Sequence, residues 1–313
     1  MLRMVGIRLL WSIPLLFCVT ALTFVLTALT PGDAARTILG TNTDPAAYDQ
    51  VRQQLHLDQP LLTQYLNWLG HALRGDLGSS LFTGESVTSV LSSRLEVTLS
   101  LILGTTVVCG VLGIGIGLLS ALRGGAVART VDGGSMVGMS LPTPWLGLVL
   151  VLLFAIQMAV LPATGYVPIE TSVSGWVTSL VLPVACLAAG GVALIARQTR
   201  GAVIDVLGRD YIRALRAAGL PAHTVVLKHA LKNAAVPVVT TMSLLIIGLL
   251  SGTVVVEQLF ALPGLGQEAV TATAQHDLPV LEGVVVYFTL LVIVFNLVTD
   301  IVNMWLNPRL VHA

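Results

Sequence analysis

Between Asp210 and Pro237 the chain reads DYIRALRAAGLPAHTVVLKHALKNAAVP. This stretch concentrates side chains suited to one kind of chemistry, non-covalent docking. Both lysines of the chain, Lys228 and Lys232, lie in it, together with Arg213 and Arg216, and Arg209 immediately precedes it. Asp210 reads as an N-cap, Tyr211 to Ala218 as one helix, and Gly219 as the residue just past its end. Pro221 suits the first turn of a second helix running through Val225, Leu227 and Leu231 toward Asn233. The Gly219-Leu220-Pro221 corner makes the first helix a protruding knob. Its apolar residues Ile212 and Leu215 and its basic Arg213 and Arg216 are expected to seat in a groove on another protein. A basic loop beside a membrane is also what positive-inside topology alone would give. A DNA-binding helix-turn-helix is disfavoured, because both ends run within a few residues into apolar segments.

Bond-making chemistry has no visible seat. The sequence contains no G-x-x-x-x-G-K-[ST], no H-E-x-x-H and no G-x-S-x-G. The GIGIG at 113–117 follows no strand and is not a dinucleotide loop. Cys18, Cys109 and Cys186 are scattered through apolar runs and read as packing residues. None of the six histidines falls in the middle of such a run. No catalytic residue, metal ligand or resident cofactor is therefore expected, and neither is a proton relay or voltage sensor. A solute moved uphill by this chain would draw its energy from another subunit.

The elements that carry these residues are set by composition. The chain has 313 residues, of which 55% are hydrophobic and 10% charged, and its mean hydropathy is +0.89. Soluble domains carry about a quarter charged residues. Continuous apolar runs long enough for a hydrocarbon core about 30 Å thick recur, so an all-α integral membrane protein is expected rather than a barrel. Six spans are expected, near 9–30, 98–121, 135–160, 177–197, 236–256 and 280–306. The third is interrupted by Pro142 and Pro144. Pro14 and Pro183 lie inside the first and fourth. Gly113 and Gly117 form a GxxxG suited to close helix approach, and Asn296, Asp300 and Asn303 share one face of span 6, suited to pairing inside the protein.

Charge gives the expected topology. Twelve of the sixteen basic residues precede span 1, follow span 6, or lie between spans 2 and 3 and spans 4 and 5. The loops at 161–176 and 257–279 have none. Both termini are then cytoplasmic and the long loop 31–97 is outside. The pre-span arginines precede about 22 apolar residues, too many for a cleaved signal's core, so span 1 is expected to be retained. Within 31–97, Val51, Leu55, Leu62, Leu66, Leu69 and Leu73 recur at helical spacing. Pro45 and Pro60 suit helix starts, and Gly75-Asp76-Leu77-Gly78 suits a turn. Two or three short amphipathic helices are expected there. They form either a lid on the chain's own spans or a surface for an external partner. The resulting divisions are 1–30 (N-terminus and span 1), 31–97 (outer helical insertion), 98–306 (five-span core with a cytoplasmic loop at 198–235) and 307–313 (tail).

With these residues in place, the loop resembles the EAA loop of permease subunits of bacterial binding-protein-dependent ABC importers. Ala214, Ala217 and Ala218 supply its small-residue cluster, and Gly219 is followed by nine residues up to His229. The leading glutamate of the general motif is absent, and the form DYIRALRAAG…KHALKNAAVP is closer to the dipeptide/oligopeptide/nickel subgroup. Pro31-Gly32-Asp33, LHLDQPLLTQYLNWL…GDLGSS, the run Glu257, Phe260, Pro263, Gly264, Leu265, Gly266, and Asn307-Pro308-Arg309 resemble further motifs of that subgroup in order along the chain. His56 stands where the subgroup usually has glycine.

The resemblance implies the type I ABC importer permease fold in the bacterial cytoplasmic (inner) membrane. It implies a second homologous permease, two ATPase subunits that bind ATP and Mg, an extracytoplasmic solute-binding protein, and a di- or oligopeptide, nickel complex or glutathione as cargo, with no nucleic acid. ATPase coupling is expected from Arg213, Ala214, Leu215, Arg216, Ala217, Ala218 and Gly219, supported by His229, Leu231 and Asn233. Contact with the binding protein on the outer face is expected from Asp58, Gln64, Tyr65, Trp68, Asp76, Glu257, Pro263 and Gly264. The chain itself is expected not to be an enzyme. The rivals are a channel or secondary transporter that works without ATPases, an intramembrane enzyme, and a scaffold that binds ATPases without lining a pathway.

Overall fold

The computed structural model describes residues 2–30, 32, 34–40, 44–55 and 57–306. Pro31, Asp33, His56 and the Asn307-Pro308-Arg309 ending, with the tail 307–313, lie outside the described residues. Taking continuous helices as one, the described residues form α1 (Leu2–Leu29), α2 (Ala34–Leu39), α3 (Pro45–Gln54), α4 (Leu61–Ala72), α5 (Val87–Arg123), α6 (Gly125–Ser140), α7 (Thr143–Gln157), α8 (Val173–Leu207), α9 (Asp210–Ala217), α10 (Ala222–Leu259), α11 (Leu265–Gln275) and α12 (Leu278–Leu306). Among these residues no strand forms beyond one isolated bridge between Ser79 and Ser86.

Five helices, α1, α5, α8, α10 and α12, are long and apolar enough to cross a membrane. The expected third span is instead α6 and α7, which meet at 100° and make a sixth span only if counted together. The break has a local cause. Leu141 precedes Pro142 and is held extended (φ −74°, ψ 125°), because the proline ring excludes the helical conformation from its predecessor. Pro144 then sits in the first turn of α7, where its missing N–H costs nothing. Pro14, Pro183 and Pro237 lie inside α1, α8 and α10 without ending them, as neighbouring groups in a membrane bundle permit. The expected second loop helix and span 5 are one continuous helix, α10, of 38 residues.

The described chain divides into two compact units, residues 99–262 with 294–306, and 2–98 with 263–293. The first is built around α8, which is 67% buried over its most apolar window. Glycine sets the α5–α8 approach. A Cβ at Gly113 would lie 2.7 Å from Ile195 Cβ, and one at Gly117 would strike the Ala196 carbonyl oxygen. The GxxxG thus works as a close-packing face, here within one chain. Cys109 and Cys186 are buried and unbridged, and Cys18 is exposed and unbridged. Asp132 of α6 and Arg200 of α8 pair at 3.1 Å. On α12, Asp300 Oδ2 and Asn303 Oδ1 are shielded from solvent, but among the described residues neither atom makes the hydrogen bond that pairing would give it.

In the second unit α4 packs on α1, and Leu77, Val87, Leu91, Leu265, Ala272, Val280 and Val284 form the core. The 31–97 segment holds the three short helices α2, α3 and α4. Asp44 caps α3 by accepting from Ala46 N at 3.0 Å. Gly75 and Gly78 take positive φ in the turn that follows α4.

Candidate coupling surface

Helix α9 starts after Arg209, which is extended, so Asp210 is the first helical residue and not the cap. Its carboxylate still meets the positive end of the helix dipole, and Arg216 sits at the negative end. Asp210 and Arg213 pair at 3.4 Å, but with side chains 96% and 74% exposed the pair adds little stability. The helix is held by its apolar side instead. Ile212 is completely buried among Val203, Val206, Val225, Ala230 and Ala234, with Leu215, Leu220 and Leu231 packed around it. The expectation that Ile212 inserts into another protein is therefore wrong, and Leu215, half-buried, packs beside it. They face the chain's own core, because a helix of eight residues linked at both ends by short turns must spend its apolar stripe on anchoring itself.

The C-terminus closes as a Schellman motif. Gly219 N–H donates to Arg216 O at 3.0 Å and Leu220 N–H to Leu215 O at 3.3 Å. Gly219 has φ +80°, where L side chains are disfavoured. Leu215 and Leu220 share the core around Ile212, as the motif's accompanying apolar contact. A Cβ at Gly219 would meet nothing within 4 Å, so glycine is needed for its backbone angle and not for space. Pro221 stands just before α10 as its N-cap (φ −64°, ψ 143°), one position earlier than expected.

A polar strut ties α9 to α10. Asn233 Nδ2 donates to the Tyr211 hydroxyl at 3.1 Å and to His229 O at 2.8 Å. His229 lies in a stretch of wider turn, Val225–Ala230, a departure from α geometry often seen at functional positions. Anchored this way, α9 leaves Arg213, Ala214, Arg216, Ala217, Ala218 and Gly219 exposed. The result is an exposed basic face with small residues at its centre. Leu215, His229 and Leu231 are half-buried, and Asn233 is exposed.

The residues expected on the outer face separate by burial. Asp58, Asp76 and Pro263 are exposed. Tyr65 is buried, its hydroxyl 3.0 Å from Thr20 Oγ1 and donating to Phe17 O at 3.2 Å, with Phe17 and Phe24 edge-on to its ring. Trp68 stacks on Tyr65 with centroids 6.2 Å apart, and Gln64 Nε2 donates to Gln59 O at 2.8 Å. Gly264 is buried at the start of α11, and Glu257 is completely buried within α10. Tyr65, Glu257 and Gly264 therefore hold the fold and cannot offer side chains to a docking protein. The motif residues are there, but several serve packing.

Sequence reasoning missed the polar bonds that fix the same region. Ser80 Oγ donates to Asp277 Oδ2 at 2.6 Å, and Leu81 N–H to Asp277 Oδ1 at 3.3 Å. Arg94 pairs with Glu268 at 2.8 Å, and Leu265 N–H donates to Thr98 Oγ1 at 2.9 Å. These partners are far apart in sequence, so spacing gives no signal for them.

Comparison with known proteins agrees with this architecture. Residues 113–312 match the family described as the inner membrane component of binding-protein-dependent transport systems, and residues 1–102 match the N-terminal part of such membrane components. A putative peptide transport system permease protein of Brucella abortus is 37% identical over 299 residues, covering 95% of each chain. The di/tripeptide transport system permease protein DppB of Pseudomonas aeruginosa is 36% identical over all of this chain and 99% of its own. The glutathione transport system permease protein GsiC of Escherichia coli is 38% identical over 99% of each. Among solved structures, a chain of the inward-facing MetNI methionine ABC transporter matches with a TM-score of 0.56 and 20% identity, over 70% of this chain and 97% of that one, a likeness of fold. The chain thus belongs to the inner membrane components of binding-protein-dependent transport systems, and is a multi-pass permease subunit of an ATP-driven importer rather than a self-sufficient secondary transporter.

Proposed function

We propose that this permease forms half of a pathway for short peptides, paired with a second homologous permease, and that α9 couples it to cytoplasmic ATPase subunits where ATP and Mg bind. The observation that carries the coupling role is the exposed basic face of α9, held rigid by the buried Ile212, the Schellman corner at Gly219 and the Asn233–Tyr211 strut. Because α10 runs without interruption from that corner to Leu259, a push on α9 is delivered into a spanning helix. The peptide cargo is supported by the names of the relatives, two of which are peptide permeases and one a glutathione permease. The charge distribution supports cytoplasmic termini, a cytoplasmic α9 and an extracytoplasmic 31–97 segment, and the exposure of Asp58 and Asp76 on that segment, and of Pro263 in the 257–279 loop, supports their contact with a solute-binding protein.

The test is to purify the tagged chain from native membranes in mild detergent and assay what accompanies it. The expected result is a second permease and ATPase subunits, whose ATP hydrolysis rises with a binding protein and peptide. Recovery of the chain alone, with ion-gradient-driven uptake in liposomes, would overturn it.

A further inference from the structure

His276 ends α11 in the left-handed conformation, φ +60°. Its N–H donates to Thr273 O at 3.3 Å, and Asp277 N–H donates to Ala272 O at 2.9 Å. This is the same Schellman geometry as at Gly219, but with a histidine where glycine is strain-free. A strained non-glycine residue points to a use for its side chain. The His276 ring lies against Gly32, where an added Cβ would come within 3.0 Å of it. It forms part of the wall of a cavity of about 510 Å³ in the second unit, shared with Arg52, Asp58, Gln59 and Gln64. A second cavity of about 500 Å³ adjoins it, and Phe24, Leu57, Gln59, Gln64 and Leu278 line both. That second lobe is mainly apolar, with Trp68 in its wall. Each lobe is in the size range of small-molecule sites.

The polar atoms of these walls are short of partners. Arg52 Nε, both ring nitrogens of His276 and Trp68 Nε1 are shielded and make no hydrogen bond. Buried polar groups are rarely left so, because an unmade bond is costly. Arg52 is otherwise positioned, with Nη2 donating to Leu57 O at 3.1 Å and its guanidinium 5.7 Å from the Tyr48 ring centroid. The polar lobe thus offers a fixed cation, an exposed carboxylate at Asp58 and amide side chains, beside an apolar lobe.

We propose that the two lobes bind a small amphiphilic zwitterion, a short peptide with free ends. The carboxylate goes to Arg52 and His276, the ammonium to Asp58, and an apolar side chain to the lobe beside Trp68. A guanidinium–carboxylate contact is the strong member of such a set. The site deepens the importer reading and rests on it for the origin of the ligand. It gives this chain its own selectivity for free termini.

The test uses the full-length chain in mild detergent with radiolabelled leucyl-leucine, and its N-acetyl and C-amide derivatives as competitors. Leucyl-leucine is expected to bind saturably, and the doubly blocked form about tenfold or more weakly. Arg52→Gln is expected to abolish the preference for a free carboxylate, and Asp58→Asn the preference for a free amine. His276→Gly is expected to weaken binding while thermal stability holds or rises, since glycine relieves the backbone. Equal binding of free and blocked peptides, no binding, or unchanged binding by His276→Gly would overturn the site. So would binding only of the purified solute-binding protein, lost in Arg52→Gln, which would make the cavity a docking surface. None of these failures touches co-purification with ATPases, so the importer reading stands or falls separately.

Discussion

Two corners of this permease, Gly219 after α9 and His276 after α11, have the same backbone and opposite surroundings. Each closes a helix by a Schellman motif with a positive φ. At Gly219 nothing lies within 4 Å of the missing side chain, and the corner is held from one side by the apolar anchor Ile212. At His276 the side chain is pressed on Gly32, and the next residue, Asp277, is 3% exposed and bonded to Ser80 and Leu81. The first corner is left exposed. The second is closed by polar bonds and lines a cavity. One turn geometry therefore stands open in one place and forms a wall in the other. Burial and bonding of the neighbouring residues decide which.

Breaking what anchors either corner should have the largest effects. Asp277→Ala removes the acceptor of the Ser80 hydroxyl proton and of the Leu81 N–H, while Ser80 Oγ still accepts from the Phe82 and Thr83 N–H groups, and should cost about 3 kcal/mol. Thermal unfolding in detergent and proteolysis within 31–97 should both report the loss. An unchanged melting profile would mean the bonds do not hold the region. Removing the apolar anchor of the open corner, Ile212→Ala, should cost about 2–4 kcal/mol. It should also free α9, so that peptide-stimulated ATP hydrolysis falls further than assembly does. Equal loss of assembly and stimulation would reduce Ile212 to a general core residue.

Gly219→Val should cost only about 1–2 kcal/mol, through φ strain without a clash. Transport should nevertheless be lost, because the corner changes shape. Normal uptake in that variant would remove the corner from the coupling account. Asn233→Ala should be the mildest, about 1 kcal/mol for one hydrogen-bonded strut, seen as a partial drop in ATPase stimulation. A loss as large as that of Ile212→Ala would mean that Asn233 itself touches the ATPase.

What could be read ahead from the chain follows the range of the forces involved. Hydropathy acts locally, so the five long spans and the polar loops were visible. Proline and glycine act on their own dihedrals, so the Gly219 corner and the starts of α3 and α4 were visible as well, to within a residue. Pro142 and Pro144 marked an irregular third span, but not that its halves would turn by 100°. The direction of Ile212 was misread because an eight-residue amphipathic helix looks the same whether its stripe anchors or docks. Tyr65 and Glu257 were legible as motif residues but not as buried ones. The Ser80–Asp277 bond joins residues 197 apart, and the φ of His276 follows from how α11 is closed. Neither has a periodic signature.

The central claim is that α9 meets the ATPase while the outer segment does not. The most direct measurement is site-specific cross-linking in membranes holding the assembled transporter. Cys18, Cys109 and Cys186 are first replaced, and then Ala217→Cys is compared with Asp76→Cys. A cross-linked species containing an ATPase subunit is expected from Ala217→Cys, and none from Asp76→Cys. No such adduct from Ala217→Cys in a transporter that still imports, or an ATPase adduct from Asp76→Cys, would contradict it.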